Sequence, residues 1–182
     1  KKYEKNKSIK VLNDITFNFE PGKTYSIMGP SGSGKSTLLN LLSLIDNPTA
    51  GSIEISNNKI KSNNKVKNDL IRAKKIGIIY QDKNLLSDFT ALENVYLPNL
   101  LVSKEKQKSI ELAKKLLKNV GMSSRINHFP NELSGGENQR IAIARALINN
   151  PDIILADEPT GSLDSDNAKL IFKILFNFKN KN

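Results

Sequence analysis

The chain has 182 residues, 38% of them hydrophobic and 25% charged, with a formal net charge of +10 and a pI near 9.7. That size can bury the core of one domain, and the composition excludes disordered and fibrous classes. There is no cysteine, which excludes disulfides and thiolate metal sites, and no apolar run approaches the ~20 residues that span a bilayer.

Residues 3–9 are polar and read as loose. Residues 11–19 alternate, with Ile15, Phe17 and Phe19 on one face, and predict a half-buried strand ended by Pro21-Gly22. Residues 23–28 predict a second strand. It runs into Gly29-Pro30-Ser31-Gly32-Ser33-Gly34-Lys35-Ser36, followed by Thr37 and a helix over 35–44. Residues 52–56 read as a short strand, 57–68 as a surface loop, 69–75 as a short helix and 76–80 as a buried strand with Gln81 at its end. Helices are expected over 91–97, 104–119, 135–149 and 166–178, with a strand over 153–156. Strands alternating with helices predict an α/β fold with a mostly parallel sheet. The domain expected is single, with a core of about residues 1–87 and 150–182 and an inserted helical subdomain of about 88–149.

Three stretches carry chemistry. The spacing of residues 29–36 is that of a phosphate-binding loop. Its glycines allow the backbone N–H groups to turn around a polyphosphate, and the following helix points its positive end at the same anion. Lys35 is placed for the outer phosphates and Ser36 for a magnesium ion. The second stretch is Ile153–Ala156 followed by Asp157-Glu158, a strand that delivers two carboxylates to the carboxyl edge of a sheet. There Asp157 suits magnesium, and Glu158 suits orienting or deprotonating a water. Third, Ser134-Gly135-Gly136-Glu137 has the spacing of a capping box. Two glycines weaken a first helical turn by about 1 kcal/mol each, which makes sense where a ligand must reach the backbone. A helix N-terminus favours an anion by only about 0.3–2 kcal/mol, so this turn reads as half of a site completed elsewhere.

Phosphate loop, Gln81, Leu133-Ser134-Gly135-Gly136-Glu137, Ile153 to Glu158 and Ser162-Leu163-Asp164 occur in an order that resembles the ATP-binding-cassette (ABC) ATPases. The resemblance implies a P-loop NTPase fold with an antiparallel N-terminal β part, ATP and Mg2+ as cofactors, and ATP hydrolysis. By resemblance, Lys35 and Ser36 match the phosphate-binding lysine and the magnesium ligand. Gln81 matches the glutamine that senses magnesium and couples to the membrane partner. Asp157 and Glu158 match the metal-binding acid and the catalytic base. Ser134, Gly135, Gly136 and Asp164 match groups that meet the nucleotide of a second subunit, and Tyr3 matches an aromatic that stacks on adenine. The expected assembly is a homodimer around two ATP, docked on integral membrane subunits at the cytoplasmic face of a bacterial inner membrane. Residues 81–101 and 127–146 look most like the lipoprotein-releasing and macrolide-export branch.

The family normally continues into a strand ending in a histidine that contacts the γ-phosphate. No histidine follows Asp164 here, and both ends read as cut. His128 lies in a polar loop and is expected at the surface. Two alternatives follow: a truncated module that binds ATP with little turnover, and an ABC ATPase acting on nucleic acid. The lysines lie among asparagines with few aromatics, so no dedicated nucleic-acid site is expected. Truncation would also expose apolar surface around Ile171, Phe172, Leu175 and Phe178.

Overall fold

The computed structural model describes the chain apart from residues 6, 57, 61–63, 162 and 180–182; for residues 2–9, 177 and 179 it describes the backbone. The chain divides into two units, Lys1–Asp69 and Leu70–Asn182.

In the first unit, β1 (Lys2–Lys5) and β2 (Lys7–Lys10) pair antiparallel, Lys2 opposite Lys10. A loose segment was expected there, because a polar run carries no burial signal. Backbone pairing in a hairpin does not require one. Helix α1 (Lys35–Leu42) follows, then β3 (Glu54–Ile55) paired antiparallel with β4 (Asn58–Lys59); α2 (Lys65–Lys75) comes next and its residues 70–75 belong to the second unit. Part of the loop expected over 57–68 is therefore β4 and the first turn of α2.

The strands expected over 11–19 and 23–28 are not formed. Alternation sets which side chains share a face, but a strand also needs a neighbour for its N–H and C=O groups. Phe17, Phe19 and Tyr25 instead form an edge-to-face ring cluster, with centroids 4.7, 5.1 and 5.6 Å apart. The Tyr25 hydroxyl accepts from the Glu20 N–H at 3.0 Å, closing the Pro21-Gly22 turn.

The second unit is built on β5 (Ile76–Ile79) and β6 (Ile153–Ala156). They pair in parallel, with Ile76 opposite Ile153 and Ile79 opposite Ala156. Helices α3 (Ala91–Ser103), α4 (Lys106–Asn119) and α5 (Gly135–Leu147) lie between them in sequence, and α6 (Ser165–Lys179) follows. The apolar stripes of α3, α4 and α5 meet in one cluster: Ala91 and Val95, Ala113 and Leu117, Ile141 and Ala144, closed by Val120 and Met122. A second cluster joins the strands to two helices through Ile79, Ile143, Leu147 and Ile171. Helix α5 thus serves both clusters.

Helix α3 runs past Pro98, where residue 97 was expected to end it. Packing against α4 and α5 outweighs the lost N–H, an override of local propensity by tertiary contacts. Of the residues expected to be exposed there, Ile171 is buried against Ile79 and Ile143, Leu175 and Phe178 are half-buried against the same cluster, and Phe172 is exposed.

Candidate nucleotide-binding site

The phosphate loop belongs to the first unit. Gly32 has φ +78° and Gly34 φ +95°, left-handed angles that glycine adopts without strain. A Cβ on Gly34 would also sit 2.9 Å from Leu12 Cδ2, the end of a flexible side chain that can shift, so it is the backbone angle that demands glycine there. Gly34 starts α1, and its carbonyl accepts from the Leu38 N–H at 2.9 Å. The Lys35 ammonium curls back over the loop and donates to the carbonyls of Gly29 (2.8 Å) and Pro30 (2.9 Å). Ser36 lies exposed in the first helical turn, with Thr37 half-buried beside it.

Gln81, Asp157 and Glu158 all belong to the second unit, at the carboxyl ends of β5 and β6. The Asp157 N–H donates to the Ile79 carbonyl at 2.9 Å, extending the strand pairing by one bond. The chain then turns sharply: Glu158 has φ +44°, and its carbonyl accepts from the Gly161 N–H at 3.0 Å. This turn brings the Glu158 carboxylate to Gln81, whose Nε2 donates to Oε2 at 2.9 Å. The two residues are 77 positions apart in sequence and meet because β5 and β6 pair in register.

Ser134 caps α5. Its hydroxyl accepts from the Glu137 N–H at 3.2 Å, while the Ser134 N–H donates to Glu137 Oε2 at 2.9 Å. The capping box read from the sequence is therefore formed. The Glu137 carboxyl is held below its ordinary value, first by the Ser134 N–H, against a smaller opposing effect of burial, with help from the Ser134 hydroxyl, Arg125 and Arg140. Arg125 Nε lies 3.3 Å from Glu137 Oε1. Asp164 caps α6 through bonds from the N–H groups of Asp166 (3.1 Å) and Asn167 (3.0 Å). The same Asn167 N–H is the main reason why the Asp164 carboxyl also lies below its usual range. Ser162 and the Tyr3 side chain lie outside the described residues. His128 is half-buried, its Nε2 3.2 Å from Arg125 Nη1.

Several residues that sequence reasoning passed over hold these groups in place. Arg145, on α5, donates to the carbonyls of Lys83 and Asn84 at 2.6 Å each and so anchors the loop that follows Gln81. Burial lowers its guanidinium from the ordinary value, and Tyr80 opposes that shift. Asn94 is buried and donates to the carbonyls of Leu86, Phe89 and Thr90, while its Oδ1 accepts from the Leu86 N–H at 2.8 Å. The available signal was a polar residue interrupting an apolar stripe: Asn94 beside Ala91 and Val95, and Arg145 inside the run from Ile141 to Leu147.

Comparison with known proteins identifies the family. The ABC transporter family profile matches residues 12–161. The lipoprotein-releasing system ATP-binding protein LolD of Rickettsia bellii is 48% identical over 169 residues, 93% of this chain and 74% of that protein. LolD of Wigglesworthia glossinidia brevipalpis is 49% identical over 176 residues, 96% of this chain and 77% of that protein. An uncharacterized ABC transporter ATP-binding protein of Methanocaldococcus jannaschii, MJ1508, is 48% identical over 164 residues, 90% of this chain and 73% of that protein. Among solved structures, the cassette MJ0796 in a dimeric post-hydrolysis state bound to ADP and Pi superposes with a TM-score of 0.92 at 41% identity. A second dimeric MJ0796 structure gives 0.91 at 42%, and each match covers 100% of this chain and 80% of that one. The chain belongs to the ABC transporter family and has the fold of its ATP-binding cassette.

Proposed function

We propose that this chain is the ATP-hydrolysing subunit of a bacterial transporter that releases lipoproteins from the inner membrane. The ATP-binding role rests on the family membership. The lipoprotein-release branch is supported by the two LolD relatives. The observation that carries hydrolysis is the Gln81–Glu158 hydrogen bond at the carboxyl ends of β5 and β6, the edge where open α/β sheets bind ligands.

In this reading the N–H groups of residues 29–36 wrap the polyphosphate. Lys35, already turned over the loop by its bonds to Gly29 and Pro30, exchanges those carbonyls for phosphate oxygens. Ser36, Gln81 and Asp157 would hold Mg2+, which supplies charge neutralisation at the phosphates. Among the described residues no group of three or more His, Asp or Glu could hold a metal. Mg2+ is usually held by one or two carboxylates with phosphates and water rather than by a protein cage. Glu158 would orient and deprotonate the attacking water, its carboxylate aimed by the Glu158 turn and by Gln81. Ser134, Gly135, Gly136 and Asp164 would meet ATP held by a second copy, so two subunits would sandwich two nucleotides. The dimeric state of MJ0796 supports that assembly. No described helix is long and apolar enough to cross a membrane, and membrane subunits would hold the cassette at the cytoplasmic face.

The test is Glu158→Gln in the full-length protein. It should bind ATP with wild-type affinity, lower steady-state phosphate release by about 10²–10⁴-fold, and accumulate as an ATP-bound dimer in size-exclusion chromatography. Unchanged hydrolysis would overturn the base assignment. Absence of ATP binding by the wild type would overturn the reading as a whole.

A further inference from the structure

Asn167, in the first turn of α6, uses its side-chain amide on three sides. Its Oδ1 accepts from Arg140 Nη1 at 2.9 Å, and Arg140 lies one and a half turns into α5, beyond Ser134–Gly136. Its Nδ2 donates to Asp164 Oδ2 at 2.6 Å. The amide plane also lies against Gly136: a Cβ there would be 3.1 Å from Asn167 Cγ and Oδ1 and 3.2 Å from Nδ2. Gly135, by contrast, would meet nothing within 4 Å. Arg140 Nε is buried without a hydrogen-bond partner among the described residues, so the guanidinium is oriented through its bond to Asn167.

We propose that Asn167 is a positioning residue that ties the Ser134–Gly136 turn and the Asp164 loop into one rigid face for a second copy of this chain. The proposal rests on the reading that these two segments meet nucleotide held by a partner subunit. An amide alone matches all three contacts. It needs an acceptor toward the Arg140 cation, a donor toward the Asp164 carboxylate, and a flat surface thin enough to lie against a glycine Cα. Each segment also has supports of its own, Ser134 with Glu137, Arg125 on Glu137 and Asn138 on the Pro130 carbonyl, and Asp164 with the α6 N–H groups, but each of these acts within one segment. Packing of Ile143 and Leu147 with Ile171 sets how α5 and α6 lie along their length, but not the fine spacing of the two loops at their N-terminal ends. Asn167 fixes it, and closure over ATP depends on that spacing to within about 1 Å.

The experiment uses the full-length protein with Asn167→Ala and Asn167→Asp. The Asp variant keeps shape and the Arg140 contact but sets a carboxylate against Asp164. For each, ATP affinity is measured by displacement of a fluorescent nucleotide, kcat by phosphate release, and ATP-driven dimerisation by light scattering in the Glu158→Gln background. The expected result is ATP affinity within about twofold of wild type, since residues 29–36 are untouched. A kcat about 10–100-fold lower and a dimer requiring more ATP to form should accompany it. Arg140→Ala combined with Asn167→Ala should be no worse than the poorer single variant, because both remove the same link. If Asn167→Ala fails to fold, Asn167→Asp carries the test, since it alters charge rather than volume. Wild-type kcat and wild-type dimerisation in the folded variants would overturn the proposal and leave the function intact. A wild-type protein that binds ATP but does not dimerise would overturn both this proposal and the shared-site reading it rests on.

Discussion

Arg145→Met should loosen the loop after Gln81 while leaving α5 helical, because methionine is a good helix former of similar length. The guanidinium makes two bonds of 2.6 Å, to the half-buried Lys83 and the exposed Asn84. Both residues have left-handed φ, 59° and 48°, so the chain is held in an uncommon conformation where the cation grips it. A bond to a charged donor contributes about 1.5–3 kcal/mol. Water can replace the cation at exposed Asn84, so the Lys83 bond counts in full and the other in part. Burial already disfavours the charged guanidinium, and methionine removes that penalty. The net loss should be about 2–3 kcal/mol, equivalent to about 4–12 °C in Tm for a chain of this size. Urea unfolding followed by circular dichroism measures the stability, and hydrogen exchange over residues 82–86 shows whether the loss is local. Arg145→Lys should recover less than half, since an ammonium cannot fork to two carbonyls. A midpoint within 0.5 kcal/mol of wild type, with unchanged loop exchange, would refute the anchoring role.

Gly77→Ala should destabilise the second unit by about 1–3 kcal/mol. A Cβ on Gly77 would lie 2.6 Å from the Ala146 carbonyl oxygen and 3.0 Å from Pro151 Cγ, so β5 and α5 must separate; urea unfolding reads the change. Glu137→Gln should be less stable than wild type at pH 7, with the gap closing as the pH falls from above the ordinary carboxylate value through the lowered folded one. The folded carboxyl titrates below its unfolded value of about 4.3, so its contribution is present above that pH and lost as pH falls through the folded value. Thermal melts across that range check the sign, and a gap that widens toward acid would contradict it.

The sequence by itself determined the elements whose signal is local. The glycine angles of residues 29–36, the capping box of Ser134 with Glu137 and the apolar strand that delivers Asp157 and Glu158 are each written within one turn or one strand. Their order along the chain was enough to point to the family. Local patterns failed where a partner decides the outcome. Alternation over 11–19 marked a face but did not supply a neighbouring strand, and Pro98 marked a stop that packing against α4 and α5 overrode. Tertiary structure alone decided how the site groups are held. Gln81 reaches Glu158, Arg145 grips the loop beyond Gln81, and Asn167 joins Arg140 to Asp164 across separations of 77, 61 and 27 positions. The physical reason is that periodicity and capping specify backbone shape over a few residues. A hydrogen bond between distant side chains exists only after strand register and helix packing have set their spacing.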